Sequence, residues 1–239
     1  MIKPFLSIVI PARNEERRLP QTLEQVASFV QTRHISAETI VVVNASTDRS
    51  LEVASKFAQQ YENMRVLPED LPGKGRAVQK GMLVASGAYR FFADADLSMP
   101  IEEVLRFLPP AVDVPIAIAS REAPGAVRYD EPAYRHLTGR VFNTIIRALV
   151  LPALNDTQCG FKMFRADVAE DLFRRQTLMG WSFDVELLYI ASRRGIPILE
   201  IPIPWYFNPD SKVSVVRDSW RMFTDLLAIR RNGRKGLYD

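Results

Sequence analysis

Two aspartates one residue apart, Asp94 and Asp96, end the aromatic and apolar run "YRFFADAD" at residues 89 to 96. Residues i and i+2 of a strand point to the same side, so the two carboxylates are predicted to converge on one ligand. Adjacent carboxylates repel each other unless a cation neutralises them, and Mg²⁺ or Mn²⁺ commonly binds one or two carboxylates together with phosphate oxygens. We therefore predict a metal site at this pair. The alternative, a polar strand end that caps the next turn, stays open for the motif taken alone.

A glycine-rich segment, "PGKGR" at residues 72 to 76, has the composition of an anion-binding loop. Gly73 and Gly75 would let the backbone approach a ligand closely, while Lys74 and Arg76 supply positive charge. An ordinary turn with a solvated lysine is the alternative interpretation. Neither the dinucleotide-binding fingerprint nor the Walker loop is present in the chain.

Four arginines follow the apolar run "VPIAIAS" of residues 114 to 120, namely Arg121, Arg128, Arg135 and Arg140. The planar guanidinium group matches the geometry of phosphate, so this cluster is predicted to orient a phosphate group for reaction. Solvated surface arginines are the alternative, since exposed arginine is common.

Asp184 and Glu186 in "WSFDVELL" are the candidates for a general base that would take a proton from a hydroxyl substrate. On a helix the two side chains lie about 200° apart, so at most one should face a site easily. A phosphate nucleophile needs no base, because its second pKa near 6 leaves it largely ionised at neutral pH.

The elements that must position these residues alternate through the first half of the chain. The predicted strands are residues 5–11, 39–44, 64–67, 89–96 and 114–120, and the predicted helices lie near 16–31, 47–61, 74–86 and 101–108. Such alternation is typical of an α/β fold with a Rossmann-like, mostly parallel sheet flanked by helices. Ligands bind beyond the carboxyl ends of such strands, where the polar residues of this chain cluster.

The second half is predicted to elaborate the same domain. It contains a loop at 121–132, an apolar helix near 134–150, a strand pair within 196–207 and a C-terminal helix near 217–231. The helix at 134–150 carries a narrow polar stripe on an apolar surface, and the last helix ends in basic residues, which suits a membrane interface. Packing on the sheet or on a partner subunit is the alternative. We expect one domain, 1–239, with a ligand-binding first half (1–120) and a second-substrate half (121–239).

Composition restricts the classes of function. The 239 residues carry a net charge of only +3, so nucleic-acid binding is not implied. One cysteine excludes an internal disulfide, and with two histidines a Cys/His zinc site is not expected. The hydropathy pattern contains neither a secretory signal nor a membrane-spanning segment. We therefore expect a protein of the reducing cytoplasm.

Six ordered motifs resemble the family 2 glycosyltransferases of GT-A fold over residues 5 to 230. The motifs are "SIVIPARNEE", "IVVVNASTD", "PGKGRAVQKGMLVASG", "FFADADLSMP", "DTQCGFKMF" and "WSFDVELLYIA". The last two are most similar to the subgroup of dolichyl-phosphate β-glucosyltransferases and other polyprenyl-phosphate hexosyltransferases.

The resemblance implies roles for individual residues. Asp96 would bind the metal directly, and Asp94 would contact the ribose or the water shell of the metal. Arg121 and Arg135 stand where the family binds the acceptor phosphate. The nucleoside pocket would be formed by Pro11, Ala12, Asn14 and Glu15, and the segment Lys74, Gly75 and Arg76 would approach the base and phosphates.

The chain departs from the family after its second strand, where Val43, Asn44, Ala45 and Ser46 replace the usual Asp-Asp-Gly-Ser. Asn44 can still accept a hydrogen bond from uracil, but without the assistance of charge. Alternatively, or in addition, Ser46 or Thr47 caps the following helix.

The expectation is therefore an inverting glycosyltransferase that moves a hexose onto a polyprenyl or dolichyl phosphate. The donor is expected to be UDP-glucose or another UDP-hexose, with GDP-mannose less favoured, and the enzyme to lie peripherally on the cytoplasmic membrane face. One alternative is transfer to a saccharide or protein hydroxyl, with Asp184 or Glu186 as base. A lower-ranked alternative is a non-catalytic nucleotide-binding module.

Overall fold

The computed structural model describes residues 3–209 and 215–239, with the side chains of the last helix described from Trp220 onward. Nine strands are found in these residues. They are β1 (Leu6–Ala12), β2 (Ala37–Asn44), β3 (Met64–Glu69), β4 (Tyr89–Ala93), β5 (Ile116–Ser120), β6 (Val127–Tyr129), β7 (Phe161–Arg165), β8 (Ile198–Pro202) and β9 (Pro204–Tyr206).

The helices lie between these strands. They are α1 (Leu19–Thr32), α2 (Ser50–Gln60), α3 (Lys74–Val84), α4 (Ala133–Leu149), α5 (Ala166–Arg175), α6 (Phe183–Arg193) and α7 (Val215–Arg234). The segment predicted as a helix near 101–108 is a 3-10 helix, Ile101–Phe107. None of the helices in the described ranges is long and apolar enough to cross a bilayer.

Seven strands form one mixed sheet in the order β3-β2-β1-β4-β7-β5-β8. All neighbours pair in parallel except β7, which runs antiparallel to both β4 and β5. The mostly parallel α/β sheet flanked by helices is therefore confirmed. Because β7 reverses direction, the loop that precedes it arrives at the same edge of the sheet where β4 and β5 end.

The central strands are apolar on both faces because helices cover both sides of the sheet. In β1, Ile8 and Ile10 belong to one buried cluster while Val9 belongs to the other, so alternate residues serve opposite layers. The strands β1 and β5 are buried along their whole length, and β2 and β4 are buried toward their carboxyl ends. The polar residues that follow the strands are thereby confined to the edge of the sheet.

Besides the 3-10 helix and the short strand β6 inside the predicted loop at 121–132, three sequence predictions differ from the structure. Residues 196–207 do not form a strand pair, because β8 extends the main sheet beside β5 and β9 pairs with β6 in a separate two-stranded sheet. The strand β7 and helix α5 were not predicted, since β7 has only five residues, four of them within "DTQCGFKMF", and these give too short a pattern. The third concerns the aspartate pair. β4 ends at Ala93, so Asp94 and Asp96 both lie in the turn beyond it and are not aligned by strand geometry.

Candidate active site

Two adjoining cavities open at the carboxyl edge of the parallel strands. The first cavity, about 680 Å³, lies beside the residues that follow β1 and β2. The second cavity, about 290 Å³, lies beside the residues that follow β5. Lys74, Asp94, Asp96 and Trp181 line both. These four residues therefore mark the boundary at which two substrates could meet.

The first cavity collects most of the residues predicted to contact a nucleotide. Those it contains are Pro11, Ala12, Asn14, Glu15, Asn44, Lys74, Asp94 and Asp96. The loops after β1 and β2 are tied together, since the Asn14 backbone N–H donates to Ser46 Oγ at 3.0 Å and the Glu15 N–H donates to Ser50 Oγ at 2.7 Å. Helix α2 starts only at Ser50 without a side-chain cap, so the predicted capping by Ser46 or Thr47 is wrong.

Gly75 and Arg76 do not line either cavity, contrary to the prediction from "PGKGR". A Cβ atom on Gly75 would lie 2.6 Å from the Phe183 Cβ, and one on Gly73 would lie 2.3 Å from the Met179 carbonyl oxygen. Both glycines thus admit the close approach of the neighbouring protein chain. Lys74 is therefore the charged residue of "PGKGR" that lines the cavities.

The Lys74 ammonium contacts both oxygens of Asp94, at 2.7 and 2.8 Å. Burial alone lowers the pKa of Lys74, but the Asp94 carboxylate more than offsets this, so its pKa lies above the ordinary value. Gly160 makes room for the carboxylate, since a Cβ there would lie 1.9 Å from Asp94 Oδ2. The Asp94 N–H also donates to the Gly160 carbonyl at 2.9 Å. Asp94 is therefore held between α3 and the start of β7.

Asp96 has a different environment. Its Oδ1 accepts the backbone N–H of Ser98 at 3.1 Å, which holds the side chain within the turn. Burial first, and then the negative charge of Asp94, raise the pKa of Asp96 above the usual value. A carboxylate under these conditions gains from a cation that shares its charge. The chemistry of the site therefore favours a cation at Asp96 more than at Asp94, which already binds Lys74.

The oxygen donors present suit a hard divalent cation such as Mg²⁺ or Mn²⁺. Among the side chains that the structure describes, no group of three or more His, Cys, Asp and Glu residues could hold a metal by itself. The two carboxylates nevertheless fit a cation that takes its remaining ligands from water and from substrate phosphate. The arrangement therefore fits a metal that binds together with its nucleotide.

The hydrogen bonds of the Asn44 side chain explain why asparagine stands at this position. Its Nδ2 donates to the Leu71 carbonyl at 2.6 Å, and its Oδ1 accepts the Gly73 N–H at 2.9 Å. An aspartate could accept from Gly73 but would turn its second oxygen toward the Leu71 carbonyl, with no proton between the two. Asparagine therefore matches this loop conformation, and its amide anchors the segment that leads to Lys74.

The second cavity contains three of the four predicted arginines, Arg121, Arg128 and Arg135. Arg128 is neutralised by Glu122 and Glu131, so it contributes little net charge. The buried Nε of Arg135 has no hydrogen-bond partner among the described residues, and its guanidinium lies 5.6 Å from the Phe207 ring centroid. Arg140 is exposed on α4 and does not line the cavity.

Arg121 is fixed by a buried carboxylate. Its Nε and Nη2 donate to Asp156 at 2.6 and 3.0 Å, and its backbone N–H donates to the same side chain at 3.0 Å. Asp156 is fully buried, and Glu200 of β8 accepts its N–H at 2.9 Å. The bidentate pair aligns the guanidinium plane and leaves Nη1 for a ligand.

Asp184 and Glu186 have separate roles, as the helical spacing predicted. Asp184 lines the second cavity and pairs with the fully buried Lys162 at 3.2 Å. Burial raises the pKa of Asp184, an effect that Lys162 and Lys74 only partly oppose. Glu186 is fully buried and lines neither cavity. Its oxygens accept four hydrogen bonds, from the Thr177 N–H and hydroxyl, the Leu178 N–H and the Tyr238 hydroxyl.

Several residues of the site were not predicted from sequence. Asp156, Lys162 and Glu200 act on the cavities through Arg121 and Asp184, and the segment 177–180 forms a wall of the first cavity. "DTQCGFKMF" holds two of the three, so the motif was a usable signal for Asp156 and Lys162. Nothing local distinguishes Glu200 from other strand residues, because its role depends on the pairing of β8 with β5.

Comparison with known proteins identifies the family and the fold of the chain. The family model described as "Glycosyl transferase family 2" matches residues 7–173. The dolichyl-phosphate β-glucosyltransferase of Drosophila melanogaster is 35% identical, over 94% of this chain and 74% of the relative. The enzyme of the same name from Homo sapiens is 34% identical, over 94% of this chain and 74% of the relative. The one from Saccharomyces cerevisiae is 32% identical, over 98% of this chain and 76% of the relative.

Solved structures show the same fold at low identity. Glucosyl-3-phosphoglycerate synthase from Mycobacterium tuberculosis in complex with uridine diphosphate superposes with a TM-score of 0.69 at 19% identity, over 95% of this chain and 80% of that one. The complex of the same enzyme with Mn²⁺, UDP-glucose and phosphoglyceric acid superposes with a TM-score of 0.68 at 17% identity. The match covers 98% of this chain and 80% of that one. The chain therefore belongs to glycosyl transferase family 2 and is a glycosyltransferase of GT-A fold.

Proposed function

We propose that this enzyme transfers glucose from UDP-glucose to a polyprenyl phosphate of the dolichyl type, with inversion at the anomeric carbon. The observation that carries the proposal is the position of Arg121 and Arg135 in a cavity that shares Asp94, Asp96 and Lys74 with the nucleotide cavity. An anionic acceptor bound there lies beside the donor. The names of the relatives, dolichyl-phosphate β-glucosyltransferases, support the same acceptor and sugar.

The donor would bind in the first cavity. Its nucleoside would lie against the loops after β1 and β2, where Asn14, Glu15 and Asn44 offer polar groups. Its diphosphate would lie toward Lys74 at the shared boundary. UDP and UDP-glucose in the structural neighbours favour a uridine donor over GDP-mannose.

Asp96 would hold Mg²⁺ or Mn²⁺, with Asp94 near its water shell. A bound divalent cation would neutralise charge on the departing diphosphate. Lys74 adds a fixed positive charge on the same side, oriented by Asp94 and by the Trp181 ring, whose centroid lies 5.4 Å from Nζ.

The acceptor phosphate would be held by Arg121 and Arg135 and would attack as its ionised oxygen. The new bond joins this oxygen to the anomeric carbon as the bond from that carbon to UDP breaks, and the bonding electrons leave with UDP. Attack from the face opposite UDP inverts the configuration. No base is needed, because the phosphate is largely ionised at neutral pH.

Transfer to a saccharide or protein hydroxyl is the second candidate, supported by one observation. Asp184 lines the second cavity with a raised pKa, as a general base would require. Glu186 is a poor candidate because its oxygens are occupied. Asn44 does not favour a non-catalytic nucleotide-binding module, because local hydrogen bonds explain why asparagine stands at this position.

Contact with the cytoplasmic face of a membrane is part of the proposal. Tyr134, Leu137 and Val141 of α4 are 66, 66 and 54% exposed and lie about one turn apart. We call these three residues the outer apolar face of α4. A peripheral helix that presents such a face to the bilayer would bring the lipid phosphate close to the second cavity.

The test incubates the protein with Mg²⁺, polyprenyl phosphate and a panel of UDP- and GDP-sugars, and follows the glycolipid formed. Glucolipid from UDP-glucose is expected, with loss of at least about 100-fold in turnover for Asp96→Asn. Asp167→Asn, at an exposed ion pair on α5, serves as the matched control. Transfer to soluble sugars that is insensitive to Arg121→Ala and Arg135→Ala would instead establish the hydroxyl acceptor.

A further inference from the structure

Glu186 of helix α6 takes no part in the proposed reaction, yet it is a fully buried carboxylate. Burial of a carboxylate costs free energy, which hydrogen bonds or a paired cation must offset. The four donors from which Glu186 accepts hydrogen bonds are all neutral groups. An apolar side chain could fill the same space without that cost, so packing alone does not explain a carboxylate at this position.

Three of the four hydrogen bonds hold a wall of the first cavity. Glu186 Oε2 accepts the backbone N–H groups of Thr177 and Leu178 at 2.9 and 2.8 Å, and Oε1 accepts the Thr177 hydroxyl. These two residues begin the segment 177–180, all of which lines the first cavity. Glu186 itself lines neither cavity. One carboxylate therefore holds the beginning of this wall from outside the cavity.

The other end of the wall is bonded to the backbone beside Lys74. The two backbone N–H groups that follow Lys74 in helix α3 donate to the carbonyls of Gly180 and Met179, at 3.2 and 3.3 Å. Lys74 lines both cavities and carries the charge proposed to face the diphosphate of the donor. A displacement of the segment 177–180 would therefore also disturb the backbone that positions this lysine.

The fourth hydrogen bond of Glu186 comes from Tyr238, which follows helix α7. The buried Tyr238 hydroxyl donates to Oε1 at 2.7 Å. Asn232 of α7 donates from its side-chain amide to the hydroxyls of Tyr238 and Thr177, at 3.3 and 3.4 Å. Because both hydroxyls accept from Asn232, their own protons are directed to the carboxylate. The end of α7 therefore orients Glu186 toward the wall.

We infer that Glu186 and Tyr238 are positioning residues of the donor site. They hold the segment 177–180, and through it the backbone beside Lys74, in the arrangement that binds the nucleotide. Neither residue lines either cavity, so both act through the wall. The inference rests on the proposed function for the identity of the first cavity as the donor site. It gives the end of α7 a role in donor binding.

The first experiment removes the Tyr238 hydroxyl and measures the binding of UDP in the presence of Mg²⁺. Tyr238→Phe removes one hydrogen bond to a charged group, so the Kd for UDP should rise about threefold or more. The KM for polyprenyl phosphate should stay within about twofold, because the segment 177–180 does not line the second cavity.

Tyr189→Phe is the matched control. Tyr189 lies in the same interface between α6 and α7, with its ring centroid 6.2 Å from that of Tyr238. Its hydroxyl forms a hydrogen bond with Arg193 and has no printed link to the wall of the cavity. The substitution removes the same group from the same interface, so it should leave the Kd for UDP at the wild-type value.

Hydrogen exchange distinguishes a positioning role from a general loss of stability. The backbone N–H groups of residues 177 and 178 should exchange faster in Tyr238→Phe than in Tyr189→Phe, while the central strands keep their protection in both. Glu186→Gln is the second variant. It keeps the volume but replaces one acceptor oxygen by an amide group that cannot accept the hydroxyl protons, so it should also raise the Kd for UDP.

Two results would overturn the positioning role alone, in a protein whose wild type binds UDP. One is a Kd for UDP in Tyr238→Phe and Glu186→Gln that is no higher than in Tyr189→Phe. The other is a higher Kd without faster exchange at residues 177 and 178. Failure of the wild type to bind UDP or any UDP-sugar would instead overturn the donor assigned in the proposed function.

Discussion

At the scale of single residues, neighbours decide what a side chain can do. Asp94 and Asp96 have the same chemistry, yet Lys74 neutralises the first while burial and Asp94 raise the pKa of the second. Asn44 shows the same principle, because the donor and acceptor facing it require an amide.

The residue after Asn44 carries a measurable strain. Ala45 has a φ of 41°, in the left-handed region where a Cβ atom costs about 1–2 kcal/mol. The family usually has glycine at this position. Ala45→Gly relieves that cost but makes the unfolded chain more flexible, so we expect a net gain of about 0.5–1 kcal/mol in the free energy of unfolding. Urea denaturation measures the change.

Ala58→Gly in helix α2 provides the control for the strain argument. There the backbone is helical, so the same substitution should lower the free energy of unfolding by about 1 kcal/mol. Equal destabilisation by both variants would show that the turn at Ala45 is not strained.

At the scale of elements, the second cavity depends on strands that are distant in sequence. Arg121 follows β5, Asp156 precedes β7, and Glu200 lies on β8 opposite Ile118 of β5. The antiparallel insertion of β7 brings its preceding loop against the end of β5. Glu200 then holds Asn155 and Asp156 by their backbone N–H groups at 2.9 Å.

This arrangement predicts a pH dependence of stability. Burial opposes ionisation of Asp156, but Arg121 outweighs it and holds the pKa of the carboxyl at about 2, below the ordinary 3.8. The folded-state pKa is depressed, so the stabilisation is present above about pH 4 and is lost as the pH falls toward 2. The difference between the two pKa values corresponds to about 2 kcal/mol in the free energy of unfolding.

Asp156→Asn should therefore have a lower free energy of unfolding than the wild type at pH 5. The difference between the two proteins should be smaller by about 2 kcal/mol at pH 2. Urea denaturation across this range measures it. Asp167→Asn breaks a similar bidentate pair with Arg165 at the surface, where screening should keep the change within about 1 kcal/mol. A gap for Asp156→Asn that is constant with pH would contradict the assigned coupling.

At the scale of the whole molecule, the sheet unites the two cavities and leaves α4 at the outside. Arg140 and Arg147 of α4 are exposed beside its outer apolar face, and exposed Arg231 and Arg234 end α7, which packs against α4. Cationic and apolar groups together favour an anionic membrane surface.

We predict binding to vesicles of phosphatidylcholine and phosphatidylglycerol that weakens as salt is added. The double substitution Leu137→Ser and Val141→Ser should lower the partition coefficient by about tenfold or more, because it removes two apolar side chains from the contact. Co-sedimentation measures the binding. Leu51→Ser, at an exposed position of α2, is the control, and equal binding by the double variant and the wild type would exclude α4 as the contact.

The sequence by itself determined the class of the fold and the chemical character of the site. Strand and helix periodicities are local, and in a parallel sheet the residues after the strands must meet at one edge. The location of Asp96, Lys74, Asn14 and Arg121 at that edge could therefore be predicted. The motifs were sufficient to indicate the family, since six of them occur in order.

Only the tertiary structure decided which of these residues have their charge available. Arg128 is neutralised by two glutamates, Arg140 faces solvent, Arg76 lies outside the cavities and Glu186 is buried in structural hydrogen bonds. The partners responsible are far away in sequence and are brought close by strand pairing. The physical reason is that periodicity reports the conformation of the chain locally, whereas ion pairing, burial and open space depend on elements that meet only in the folded molecule.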